Sequence, residues 1–176
     1  MSKIYYVSLP IKDTRKFHVG DTIFLSGRVF TARDKAHRKL LNLKELPFNA
    51  KGMALFHCGP LMKKNKNGWK VVSAGPTTSS RMEPFEAELI KKLGLRVIIG
   101  KGGMGEKTRN TLREHGCLYL AYPGGAGALA ADRVTKVDAV YWLEELGIPE
   151  AVWVFTVKDF GPLVVAMDSH GETLYQ

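Results

Sequence analysis

The sequence predicts an α/β domain with a partly parallel sheet, and three observations carry that prediction. From residue 83 onward the pattern runs helix, strand, helix, strand, the order that parallel strands with helical crossovers produce. The first third reads instead as extended segments broken by turns. At 176 residues and 45% hydrophobic composition, the chain can bury one good core and has little room for two, so a single domain over residues 1–176 is expected.

Taken in order, Lys3 to Leu9 and Asp21 to Phe30 read as strands, with Ile23, Leu25 and Val29 marking a half-buried face and Val19-Gly20-Asp21 turning into the second. Thr31 to Lys44 predicts a helix with Thr31 as N-cap, Ala36, Leu40 and Leu43 at helical spacing, and Pro47 beyond its end. Met53 to His57 and Trp69 to Ala74 are two more strands, separated by the polar turn Lys63-Lys64-Asn65-Lys66-Asn67-Gly68. Then follow a helix from Glu83 to Leu93, a strand from Leu95 to Ile99, a helix from Gly105 to His115 and a strand from Cys117 to Ala121, the helices stopped by Gly94 and Gly116 at C′ positions. Gly124 to Ala131 is rich in small residues, as a close-packed helical turn or a backbone beside a ligand would be. A short helical piece spans Leu143 to Leu146. Ala151 to Val157 and Pro162 to Met167 read as a final strand pair before the turn Asp168-Ser169-His170-Gly171.

Composition narrows the function. Lys plus Arg number 26 against 17 Asp plus Glu, a formal charge of +9 that suits an anionic substrate, an acidic partner or nucleic acid. Basic residues are not interleaved with aromatics in the way that base stacking needs, which argues against RNA. Cys58 and Cys117 are far apart, with no CxxC or His-rich spacing, so each reads as a small buried hydrophobe rather than a disulfide partner or zinc ligand. No run of about 18 apolar residues and no basic, apolar leader is present, so no membrane segment and a cytoplasmic location are expected.

The chemistry concentrates at two strand-to-helix turns. Gly75-Pro76-Thr77-Thr78-Ser79-Ser80-Arg81-Met82 carries hydroxyls and a guanidinium, and Ile99-Gly100-Lys101-Gly102-Gly103-Met104-Gly105 carries an ammonium among glycines. Backbone N–H groups point outward at such turns, so the two together predict a pocket for an anion, with small carboxylates as natural guests. The second turn satisfies GxGxxG in form, but the acidic residue of a dinucleotide site is missing where Leu120-Ala121-Tyr122-Pro123 stands. The P-loop pattern fails as well, because Glu106 follows Gly105 and Lys107-Thr108 come one place too late. Lys101 reads either as a solvated loop lysine or as an anion ligand. Ser79 and Ser80 read as capping residues for the following helix, whereas Thr77, directly after Pro76, sits where its hydroxyl can face the same pocket as Lys101. Arg81 in a first helical turn opposes the helix dipole and needs an anion, for which Glu83 or Glu86 would serve. Thr31-Ala32-Arg33-Asp34-Lys35-Ala36-His37-Arg38 adds a second arginine at a strand-to-helix junction, and two guanidiniums can grip a dicarboxylate. His18, His57, His115 and His170 show no ligand spacing and are assigned no role.

Four segments, Ser26 to His37, Phe56 to Pro60, Ala74 to Met82 and Gly100 to Met104, together resemble the β subunit of class I iron–sulfur fumarate hydratase and its sibling L-tartrate dehydratase, a pattern that also forms the C-terminal domain of single-chain versions. The resemblance implies a single swivelling β/β/α domain closing over a 4Fe–4S cluster that is bound by a partner α subunit and not by this chain. It implies that Arg33, Arg81 and Lys101 hold substrate carboxylates and that Thr77 exchanges the C3 proton. Lys101 is the alternative base, since desolvation among cations lowers an ammonium pKa. The implied activity is reversible hydration between S-malate and fumarate. The alternatives are tartrate dehydration to oxaloacetate and, from another class, a stand-alone anion or nucleotide-binding module. The implied assembly is an α2β2 heterotetramer, with a β homodimer possible in isolation.

Overall fold

The computed structural model describes residues 1–123 and 127–175. In chain order the elements are β1 (Ile4–Ser8), β2 (Thr22–Thr31), α1 (Asp34–Asn42), β3 (Ala54–Phe56), β4 (Leu61–Asn65), β5 (Gly68–Ser73), a 3-10 turn (Ser79–Met82), α2 (Glu83–Leu93), β6 (Val97–Gly100), α3 (Glu106–His115), β7 (Leu118–Ala121), α4 (Gly127–Asp132), β8 (Val134–Tyr141), α5 (Leu143–Leu146) and β9 (Val152–Met167). Seven strands form one sheet in the order β1-β2-β3-β6-β7-β9-β8, and β4 and β5 form a separate hairpin. Neighbours from β1 through β7 pair in parallel, as the alternating pattern predicts for β6 and β7 and as the extended reading of the first third leaves open for β1, β2 and β3. β9 runs antiparallel to β7 and β8, and along its other edge it also pairs with β2, so that Thr22 lies opposite Val164 and Phe30 opposite Val154. That last pairing closes β2, β3, β6, β7 and β9 into a ring.

Side chains alternate across the ring with the period of 2 that strands impose. Val97 and Ile99, Leu118 and Leu120, and Trp153 and Phe155 join one buried cluster with Ile23, Leu25 and Leu163. Their sequence neighbours Ile98, Tyr119, Val152 and Val154 join a second cluster with Leu40 of α1, Leu89 and Ile90 of α2, and Leu112 of α3. Helices α1, α2 and α3 therefore cover one face of the sheet. Each fully buried large side chain is worth roughly 1.5–3 kcal/mol, so this double alternation fixes the register. Helix ends are met locally: Gly94 and Gly116 take the left-handed conformation at φ 63° and 65°, as expected, and the Lys92 ammonium donates to the carbonyls of Leu40, Leu41 and Leu43 at the end of α1.

Several expectations need correction. Helix α1 starts at Asp34 with Arg33 as its N-cap residue, because Thr31 is still the last residue of β2 and its hydroxyl accepts the Trp153 N–H at 3.1 Å. Lys63, Lys64 and Asn65 belong to strand β4 rather than to a turn, which is confined to the tip of the hairpin. The expected final strand pair is one continuous strand of 16 residues, β9. Its interruption is a bulge: Asp159 has φ 48°, its N–H donates to the Ser26 hydroxyl at 3.0 Å, and the β2–β9 register shifts there. Strand β8 was not anticipated. The small-residue segment lies partly in α4, where Gly127 packs against Gly75 so closely that a Cβ would stand 3.2 Å from the Gly75 nitrogen, while residues 124–126 lie outside the described residues. No helix among the described residues is long and apolar enough to cross a membrane.

Candidate active site

Because β2, β3 and β6 are parallel, their C-terminal ends lie at one end of the sheet, where open α/β sheets bind ligands. Arg33 follows β2, His57 follows β3 and Lys101 follows β6. The Thr77–Arg81 segment is stitched across these ends: the Thr77 N–H donates to the His57 carbonyl at 2.7 Å, Thr78 pairs with Lys101, and the Ser79 N–H donates to the Lys101 carbonyl at 3.0 Å. Arg33, Thr77, Arg81 and Lys101, which the sequence singles out, thus sit on adjoining loops.

Their surroundings differ. Arg33 is half-buried with its Nε 3.5 Å from Glu150 Oε1, and its guanidinium lies over Gly59, where a Cβ would stand 2.7 Å from Nη1. Arg81 is exposed and donates from Nη2 to Asp34 Oδ2 at 3.0 Å, so its anionic partner is Asp34 and neither Glu83 nor Glu86. Lys101 is exposed and makes no ion pair among the described residues. Thr77 is half-buried on the adjoining loop, one residue before the Thr78 that pairs with Lys101.

Beneath these loops lies a buried network that the sequence reading missed. His37 of α1 and His57 after β3 each place Nε2 3.0 Å from Glu86 Oε2 of α2, and all three side chains are fully buried. His37 Nδ1 is 2.8 Å from the Arg33 carbonyl, which can only accept, so Nδ1 carries a proton; with Glu86 ionised Nε2 must donate as well, which makes the ring an imidazolium beside the carboxylate. Burial alone would lower the His37 pKa, but the Glu86 charge and hydrogen bond, the Arg33 carbonyl and Asp34 raise it above its ordinary value. Burial pushes the Glu86 carboxyl up, and the two imidazoles more than offset this, bringing it down to about 2. His57 Nδ1 meets the Ser79 hydroxyl at 2.8 Å, and that hydroxyl accepts the Lys101 N–H at 3.1 Å. Ser79 is therefore no helix cap, and His57, assigned no role from its spacing, is hydrogen-bonded beneath the candidate loops. The signal that could have found the network is topological: histidines after neighbouring strands face a helix whose buried side carries a carboxylate.

The ligand atoms of His37, His57 and Glu86 fall within 4.8 Å of one another, a spacing compatible with a metal ion. Both imidazole–carboxylate distances are those of hydrogen bonds, however, and the cluster is sealed from solvent, so we read it as a hydrogen-bonded network. The glycine-rich turn is also occupied from within. Glu83 of α2 accepts from the Gly105 N–H at 2.7 Å, the Thr108 hydroxyl at 2.7 Å and the Thr108 N–H at 3.2 Å, so the anion at the start of α3 is the chain's own carboxylate. Gly105 leaves room for it, since a Cβ there would stand 2.6 Å from Glu83 Oε1. Neither cysteine fits an iron–sulfur cluster. Cys58 is buried and its thiol pKa is pushed up by burial, and Cys117 is pushed up to about 12 while its thiol donates to the Leu95 carbonyl at 2.7 Å.

Three cations over the C-terminal ends of parallel strands, above a buried imidazole–carboxylate network, mark this end of the α/β domain as the candidate site. The model of the family described as Fumarase C-terminus matches residues 6–176, and the chain belongs to that family. It is 44% identical over 175 residues to the L(+)-tartrate dehydratase subunit beta of Escherichia coli strain K12, covering 99% of this chain and 87% of that protein. A Methanocaldococcus jannaschii protein provisionally given the same name is 48% identical over 169 residues, 94% of this chain and 87% of its own. A Geobacillus stearothermophilus protein provisionally named fumarate hydratase class I is 47% identical over 163 residues, 92% of this chain and 31% of its own length.

Proposed function

We propose that this chain is the β subunit of a hydro-lyase that removes water from, or adds it to, a small dicarboxylate, acting together with an α subunit. The observation that carries the reading is the set of three cations and a hydroxyl on adjoining loops of a chain that matches named dehydratase β subunits over nearly its whole length. The malate–fumarate reaction leads the sequence-based expectation. The names of the relatives instead favour L(+)-tartrate as substrate, and the shorter match to a fumarate hydratase keeps fumarate as the second reading.

In this reading Arg33 and Arg81 grip the substrate carboxylates, Arg33 from a half-buried position and Arg81 from a pose set by Asp34. Lys101 adds a third cation. Loss of a proton next to a carboxylate builds negative charge on that carboxylate, and fixed cations in a water-poor site stabilise the charge as it forms. Thr77 exchanges the proton, its hydroxyl made more acidic by the surrounding cations, and Lys101 is the alternative base. The donor set of this chain does not fit a cysteine-held cluster, so any 4Fe–4S cluster belongs to the α subunit, and an α2β2 assembly follows from family resemblance.

The test is anaerobic co-purification with the cysteine-bearing partner, followed by assays of tartrate dehydration and fumarate hydration. Wild type should turn over one diacid, and Lys101→Ala should lose roughly 10²–10³-fold in kcat/KM, the usual cost of removing one charge-stabilising donor. A fully assembled complex inert toward tartrate, malate and fumarate would refute the proposal.

A further inference from the structure

The network of Glu86, His57 and Ser79 touches none of the groups assigned to substrate, yet it ends on the backbone of one of them. The Ser79 hydroxyl accepts the Lys101 N–H at 3.1 Å and shares a hydrogen bond with His57 Nδ1 at 2.8 Å, through its proton or its second lone pair. His57 Nε2 then donates to Glu86 Oε2 at 3.0 Å, which fixes the ring orientation. Glu86 is anchored in turn by the His37 imidazolium, itself held on the carbonyl of Arg33. The chain of contacts therefore runs from the Arg33 backbone to the Lys101 backbone through fully buried side chains.

The packing around Gly100 shows how tightly this is built. A Cβ on Gly100 would stand 1.8 Å from Ser79 Oγ and 2.9 Å from His57 Nδ1, so glycine is required for the hydroxyl to lie against the end of β6. The first glycine of the GxGxxG pattern thus serves an internal contact. The His57 backbone is engaged as well, accepting from Thr77 N–H at 2.7 Å and donating to the Ile99 carbonyl at 2.8 Å. His57 consequently holds the Thr77–Arg81 segment at two points, the Thr77 N–H through its carbonyl and the Ser79 hydroxyl through its ring, and that hydroxyl in turn meets the Lys101 N–H.

We propose that Glu86, His57 and Ser79 are positioning residues that act through Lys101 and Thr77, holding the lysine and threonine loops in one fixed relation. This inference rests on the hydro-lyase reading for its catalytic meaning, but not for the mechanical coupling it asserts. A misplaced lysine on a flexible four-carbon stem still reaches a bound carboxylate in the ground state, whereas the transition state demands a fixed geometry. Loss of positioning should therefore lower kcat more than it raises KM.

The test uses the assembled αβ complex with Ser79→Ala, Lys101→Ala and the double variant, plus Glu86→Gln, which keeps an oxygen acceptor but removes the charge. Ser79→Ala should lower kcat about 10-fold or more with KM changed less than about threefold, and it should have little further effect in the Lys101→Ala background. Hydrogen exchange at the Lys101 amide, read in the same samples, should speed up in Ser79→Ala and to a lesser degree in Glu86→Gln. Unchanged kcat and unchanged exchange in Ser79→Ala would overturn the proposal, as would full additivity with Lys101→Ala. If the wild-type complex turns over no diacid, the hydro-lyase reading fails and the catalytic half of this proposal fails with it, while the exchange rates still decide the coupling on their own.

Discussion

Glu83 and Glu86 stand one helical turn apart on α2, and the chain uses them in opposite ways. Glu83 reaches out to α3, where both oxygens are met by backbone N–H groups and a hydroxyl of the first turn. Glu86 reaches inward, loads two imidazoles onto one oxygen, and leaves Oε1 buried without a hydrogen-bond partner among the described residues. The first carboxylate replaces a ligand at a helix N-terminus and makes the glycine-rich turn self-sufficient. The second neutralises a buried positive charge beneath the loops that carry the candidate site. The α3 end of a turn that looks built for a foreign anion is thus already filled, and the candidate surface lies at the β6 end of the same turn, where Lys101 makes no ion pair among the described residues.

Two substitutions break this comparison. Glu86→Ala should cost most, about 3–5 kcal/mol in denaturant unfolding, because the His37 imidazolium is left buried and unpaired. The pH dependence has a defined sign: a carboxyl lowered from 4.5 to about 2 contributes stability that is fully present above 4.5 and falls away as pH drops toward 2. His37, raised above 6.5, contributes stability that is present below 6.5 and lost as pH rises through its folded value. Acid unfolding of wild type against Glu86→Gln reads the first of these directly, and a variant with the wild-type acid limb would contradict the assignment. Glu83→Ala should cost less, about 2 kcal/mol, through the lost cap of α3 and its charge-assisted hydrogen bonds. KM for the diacid should not change, and a large rise in KM would move the substrate to the start of α3.

Much of this was legible in the sequence, for reasons that can be named. Helix α2 spans Glu83–Leu93 as expected because Pro84, its acidic first turn, its two lysines near the end and Gly94 all point to the same bounds. The helix–strand alternation from Glu83 through Ala121 carried the parallel pairing of β6 with β7. Strand β8 escaped because it lies at the sheet edge, pairs with β9 alone and shows no clean alternation of burial. β9 looked broken because Asp159 and Gly161-Pro162 carry turn chemistry, which here serves a bulge. At the site, Arg33, Thr77, Arg81 and Lys101 were visible as residue types at strand ends. His37, His57 and Glu86 were not, since 20 and 29 residues separate them along the chain and only the packing of α1 on α2 over β3 makes them neighbours.

The missing side chain at Gly100 has a consequence on the timescale of lineages. Ser79 Oγ and His57 Nδ1 both stand in the space that a methyl group on Gly100 would need, so the three positions are coupled in the order in which they can mutate. Losing the Ser79 hydroxyl removes the nearer obstacle, but His57 Nδ1 still lies 2.9 Å from the new Cβ, so Gly100→Ala must wait for His57 to move or change as well. Drift at this strand end therefore runs through Ser79 and His57 before it can reach Gly100.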